Sequence, residues 1–126
     1  MPAIDTKVLV RLVVRDDPAE TGRAEEFVAG GAWVSLLALA ETVWVLDAVY
    51  GLAAAAIARA IGMLLDHRQL VIQDADVARA ALATFQRRPK LGFSDCLMIE
   101  LARKAGHLPL ATFDRRLASI DGAKKI

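Results

Sequence analysis

Residues 32–51 read AWVSLLALAETVWVLDAVYG, and the period of this stretch changes part way along it. Residues 32–36, AWVSL, are short, apolar and partly β-branched or aromatic, which reads as a strand. From residue 37 onward Leu39, Val43, Leu46 and Tyr50 recur at spacings of three and four, the stripe of a helix, and Gly51 breaks it. A strand running directly into a helix is the repeating unit of an α/β fold.

The same alternation extends outward in both directions. PAID, residues 2–5, reads as a short first strand, followed by a helix over 6–14. DDPAE has the acidic, proline-containing start of a second helix, which ends near Gly30-Gly31. After Gly51 comes an alanine-rich helix over 52–67, then QLVIQ as a strand. DADVARAALATFQRR follows as a helix with acid at its start and arginine at its end. SDCLMIELARKAG is a helix opened by Ser94 as N-cap and closed by Gly106. PLATF is the last strand, and DRRLASI a short helix after it. This alternation predicts a doubly wound parallel sheet. No repeat or long linker divides the chain, so residues 1–126 read as one domain, long enough to bury a core.

Composition removes several classes of function. A single cysteine, Cys96, excludes an internal disulfide framework and fits a reducing compartment. Two isolated histidines, His67 and His107, do not make a zinc site. With aromatic content of only 6%, a stacking platform for single strands is disfavoured. There is no glycine-rich phosphate loop and no GxSxG elbow. The most apolar stretch, residues 32–65, is interrupted by Glu41, Asp47 and Arg59, short of the ~18 residues of a membrane span. No signal peptide is visible, and the expectation is a soluble, cytoplasmic protein with no membrane partner.

Net charge is +1, yet residues 1–63 carry five Lys/Arg against eight Asp/Glu, and residues 64–126 eleven against seven. Basic clusters at Arg87-Arg88-Pro89-Lys90, Arg103-Lys104, Arg115-Arg116 and Lys124-Lys125 are suited to phosphates, or equally to solvated helix ends.

Four acidic residues stand where a strand ends or a helix begins: Asp5, Glu41, Asp95 and Asp114. Taken singly each has an ordinary reading. Asp5 and Asp114 suit helix caps, Asp95 suits the positive end of its helix, and Glu41 suits a solvated helix face. Taken together, they point to the carboxyl ends of the strands, where open α/β sheets bind ligands. Carboxylates gathered there repel unless they share protons or hold a cation. Magnesium and manganese prefer such oxygen donors and need no catalytic histidine or serine to drive hydrolysis.

IDTKVLVRLVVRDDP, LALAETVWVL, FSDCLMIELARKAG and LATFDRRLA, in this order and spacing, resemble a PIN-domain ribonuclease of the VapC toxin type over nearly the whole chain. The resemblance implies a three-layer α/β/α sandwich with a short, mainly parallel central sheet. It implies that Asp5, Glu41, Asp95 and Asp114 form a Mg2+ or Mn2+ site for RNA phosphodiester hydrolysis, supported by Thr112. It also implies tRNA or rRNA as the substrate class, a homodimer, and inhibition by a VapB-like antitoxin. Arg115 and Arg116, adjoining Asp114, are candidate contacts to the RNA backbone.

One departure bears on activity. Such proteins commonly read D-T-N or D-T-S where this chain has Asp5-Thr6-Lys7. An ammonium turned inward would compete with metal, and one turned outward would be harmless. Two alternatives therefore stay open: a silenced PIN module that binds RNA or antitoxin, and a phosphohydrolase for small phosphoesters. Trp33, Trp44 and Phe85 read as packing residues, Cys96 as a small packed helix residue rather than a nucleophile, and His107 as a cap-region residue. Val45, Val49, Ile57 and Ile61 are the expected dimer or antitoxin surface.

Overall fold

The computed structural model describes residues Met1–Ile126. They fall into two compact units, Met1–Ala75 and Asp76–Ile126. The units differ in charge: six Lys/Arg against ten Asp/Glu in the first, ten against five in the second.

In the first unit α1 (Thr6–Val14) starts at Asp5, whose side chain accepts from the Val8 amide. It ends at Arg15, which takes a left-handed conformation with φ 57°. α2 (Pro18–Val28) is capped by Asp17 and has proline in its first turn, as its sequence predicts. The chain then enters β1 (Ala32–Val34), α3 (Leu36–Ala48), α4 (Ala54–Asp66) and β2 (Leu70–Ile72). The two strands pair in parallel with Ala32 opposite Leu70. α3 packs against α1 and α4, burying Leu39, Thr42 and Leu46 with Leu9 and Ile61. The Thr42 hydroxyl donates to the Ala38 carbonyl at 2.8 Å, so its burial leaves no polar group unpaired.

In the second unit α5 (Ala75–Arg87) leads through a single 3-10 turn, Pro89–Leu91, into α6 (Phe93–Ala105). β3 (Leu110–Thr112), α7 (Arg115–Ala118) and β4 (Ala123–Lys125) complete it. β3 and β4 are parallel, with Leu110 opposite Ala123. Phe93, Cys96 and Ile99 are fully buried, and the Phe85 and Phe93 rings meet edge to face with centroids 6.0 Å apart.

The α/β class read from the sequence holds, with short parallel strands among longer helices. Hydrogen bonding divides the strands into two separate two-stranded sheets, one per unit. Several boundaries differ from expectation. PAID makes one parallel bridge, Ala3 to Trp33, too little for a strand. Ser35 is the cap of α3, accepting from the Ala38 amide at 3.0 Å, so the helix takes Leu36 from the expected strand. α6 begins at Phe93 behind Gly92, whose φ of 80° suits glycine, and Ser94 lies inside the helix rather than at its cap. The polar AKK sequence of β4 gives no sign of a strand. Ile57 and Ile61 are core residues, and the exposed apolar side chains of this helical pair are Leu37, Trp44 (65% exposed), Val49 and Met63.

Phe93→Ala should cost about 3–5 kcal/mol in urea denaturation, the usual range for emptying a buried aromatic site. Phe113→Ala, at a side chain 79% exposed, should change stability by less than about 0.5 kcal/mol. Equal losses in the two variants would contradict this core.

Candidate active site

Each unit brings together one pair of the acidic residues singled out in the sequence. In the first unit, α1 and α3 pack side by side and carry Asp5 and Glu41 to the rim of one groove. The groove is about 410 Å³ and is walled by Val10, Val45, Val49 and Tyr50. The Thr6 hydroxyl donates to Glu41 Oε2 at 2.7 Å, fixing the carboxylate of α3 to the first turn of α1. Asp5 Oδ1 is occupied by the Val8 amide at 3.2 Å. One oxygen of each carboxylate, Asp5 Oδ2 and Glu41 Oε1, has no partner within the protein. Sequence reading assigned no role to Thr6; its only signal was a hydroxyl directly after an aspartate at a helix start.

In the second unit, Asp114 caps α7, with Oδ1 accepting from the Arg116 amide at 2.7 Å and the Leu117 amide at 3.1 Å. The Thr112 hydroxyl accepts from the Asp114 amide at 3.0 Å, which sets the turn that aims the carboxylate. Thr112 thus supports Asp114 through the backbone. Asp95, half-buried in the first turn of α6, has its carboxyl held above the usual range. Burial is the larger cause and the nearby charge of Asp114 the second, with no hydrogen bond or cation to offset them. The next residue, Cys96, is fully enclosed, and burial pushes its thiol up to about 11, reinforced by the charges of Asp95 and Glu100. A thiol so protonated is packing, not a nucleophile. His107 donates its amide to the Ala102 carbonyl beyond Gly106, a cap-region role as expected.

In neither unit do three or more His, Cys, Asp or Glu side chains gather as a ready metal cage. The donor chemistry nevertheless fits a hard divalent cation. All four groups are carboxylates, and each keeps at least one oxygen free of protein partners. Magnesium is commonly held by one or two carboxylates, with water and substrate phosphate completing the shell. Lys7 stands close to this arrangement. Its ammonium pairs with Glu20 of α2 at 3.7 Å and is 66% exposed, beside the bond from Arg11 Nε to Glu20 Oε1 at 2.7 Å. Lys7 lines the same groove as Asp5 and Glu41, and its ammonium pairs there with Glu20 rather than with either of them.

Because the fold raises the proton affinity of Asp95, the folded chain binds more protons than the unfolded one between the ordinary aspartate value and the raised one. Stability falls as pH rises through that window. In EDTA, Asp95→Asn should therefore raise the melting temperature at neutral pH, and the gain should disappear below about 3.9, the ordinary value. A gain unchanged at both pH values would assign it to packing instead. Cys96 should stay unmodified by a thiol reagent in the native protein and react once denaturant is added; native-state labelling would show that its enclosure is not maintained.

The chain matches the PIN domain family over residues 3–123, a span that runs through both units and includes all four carboxylates. No curated protein and no solved structure matches it. PIN domains are generally nucleases and typically use divalent metals. With the match covering nearly its whole length, this chain belongs to the PIN domain family.

Proposed function

We propose that this protein is a Mg2+- or Mn2+-dependent endoribonuclease of the VapC toxin type, with Asp5, Glu41, Asp95 and Asp114 as its working carboxylates. The observation that carries the reading is the free oxygen left on every one of these groups after its structural bonds are made, in a chain of a nuclease family. When bound, a divalent ion supplies charge stabilisation at the phosphoryl oxygens and lowers the pKa of water. The protein's share is positioning. Asp5 and Asp114 are locked by helix amides and Glu41 by Thr6, while Asp95 stands half-buried in the first turn of α6. Arg115 and Arg116 are exposed on α7 next to Asp114 and serve to hold the RNA backbone.

The finer points of the reading follow from the same resemblance. The substrate is tRNA or rRNA, the active form a homodimer, and the site of action the cytoplasm. A VapB-like antitoxin docks on the groove of Val45, Val49 and Tyr50, whose rim carries Asp5 and Glu41, so that one partner covers both apolar wall and acidic edge. No helix is long and apolar enough to cross a membrane. The silenced-module reading stays as the second one, carried by Lys7, which pairs with Glu20 yet lines the groove of Asp5 and Glu41.

Metal-dependent cleavage of total RNA is the decisive assay. Asp5→Asn and Asp114→Asn, one from each pair, should each reduce it by at least about a hundredfold, since several kcal/mol of charge stabilisation are at stake and each 1.36 kcal/mol is tenfold. Circular dichroism should show both variants folded. Full activity in either would remove that pair from the chemistry, and hydrolysis of small phosphoesters without RNA cleavage would favour the phosphohydrolase. Lys7→Asn should leave cleavage and manganese affinity within about threefold of the parent, because an exposed ion pair contributes little. A large gain would mean that the ammonium reaches the carboxylates in solution.

A further inference from the structure

A second pocket in the Asp76–Ile126 unit, about 330 Å³, gathers three arginines from two separate basic clusters of the sequence: Arg87, Arg88 and Arg103. Their bonding differs. Arg103 is consumed by structure, pairing with Glu100 at 3.5 Å and donating to the Asp121 carbonyl at 2.7 Å. Its guanidinium lies where a Cβ on Gly122 would sit within 3.2–3.3 Å, so the turn before β4 is shaped around it.

Arg87 and Arg88 are bonded to hydroxyls. Arg87 Nη2 donates to Thr84 Oγ1 at 3.4 Å, and Arg88 Nη2 donates to Ser119 Oγ at 2.7 Å. A hydroxyl orients a guanidinium without cancelling its charge, and each fork has five N–H donors, most of them left over. The carboxylate of Asp121 also lines the pocket, so once Glu100 is matched to Arg103 the balance is two cations against one anion. Placing Arg87 at the end of α5 would satisfy the helix dipole alone, but that does not account for Arg88 reaching 31 residues along the chain to Ser119.

Position gives the pocket a use. Ser119 ends the short helix that Asp114 begins. At 1.5 Å per residue the two ends are about 7.5 Å apart along the axis. Arg115 and Arg116 lie between them.

We propose that Arg87 and Arg88 form a phosphate subsite that grips the RNA strand beside the scissile bond, with Ser119 as the residue positioning Arg88. Planar guanidinium forks match phosphate oxygens in two-point contacts. The subsite rests on the ribonuclease reading, yet it is tested by binding rather than by cleavage.

The experiment uses the full chain in EDTA, with anisotropy of a fluorescent single-stranded RNA across a salt series. Arg87→Gln/Arg88→Gln should weaken binding roughly tenfold, about 1.4 kcal/mol for the pair. It should also flatten the salt dependence by about 1.4, at roughly 0.7 for each phosphate no longer neutralised. Arg88→Lys should keep the slope while losing part of the affinity. Arg59→Gln/Arg68→Gln, which removes two charges from the other unit, should have little effect. If the double variant does not fold, each single variant should flatten the slope by about 0.7. Unchanged affinity and slope would overturn the subsite, as would an equal loss in the control pair, which would reduce the effect to net charge. Binding of inorganic phosphate that is lost in the double variant while RNA binding is retained would also overturn it, as a site for small anions. Absent metal-dependent cleavage with the expected RNA binding would sink the nuclease reading alone.

Discussion

The first turn of an α-helix leaves amide protons without partners, and at two places in this chain an aspartate supplies the acceptor. Asp5 does so for α1 and Asp114 for α7. An N-cap is worth about 1 kcal/mol, enough reason for an aspartate to stand there with no further role. The geometry of capping nevertheless uses one carboxylate oxygen and turns the other outward. A capping aspartate is therefore a pre-oriented ligand with little rotamer freedom left to lose, sitting where the positive end of the helix already favours negative charge. Capping draws on one oxygen of each group and leaves the other without a protein partner.

Glu41 and Asp95 reach their positions differently. Glu41 lies in the interior of α3, where no amide needs it, and without a partner its long side chain would explore many rotamers. Thr6 removes that freedom through one bond of 2.7 Å, which also ties α3 to α1. Asp95 is held by burial, at the cost of a carboxyl whose charge the fold opposes. A cation beside Asp95 would relieve that opposition.

Much of this fold is legible in the sequence because its helices obey simple local rules. The bounds of α1 follow from Asp5 and the apolar stripe behind it, and Gly106 closes α6 in a left-handed conformation as expected. The misreadings share a cause. A three-residue strand has too few positions to establish a period, so Ser35 and Leu36 look like part of β1, and AKK does not look like a strand at all. Gly92 and Ser94 both suit a helix start, and only the backbone geometry decides between them. Asp5, Asp95 and Asp114 stand out by their places at helix starts, whereas Glu41, expected near a strand end, lies inside α3. Their hydrogen-bond partners do not stand out, because Thr6 to Glu41 spans 35 residues and no local pattern announces it.

The cations show a division that composition conceals. In the first unit Lys7, Arg11 and Arg15 of α1 and its cap are each matched by Glu20, Asp16 or Glu25, so the charges of this helix fasten it to its neighbours. In the second unit Arg103 and Lys104 are matched in the same way, but Arg87 and Arg88 meet only hydroxyls. Ion pairs at a surface add little to stability and screen one another from a distance, whereas uncompensated guanidiniums project a field that draws in a polyanion. A net charge near zero is thus compatible with binding nucleic acid, because the negative excess of one unit coexists with a positive excess on the other. The two units divide the charges, with the carboxylate excess in the first and the cationic excess, including the two arginines that meet only hydroxyls, in the second.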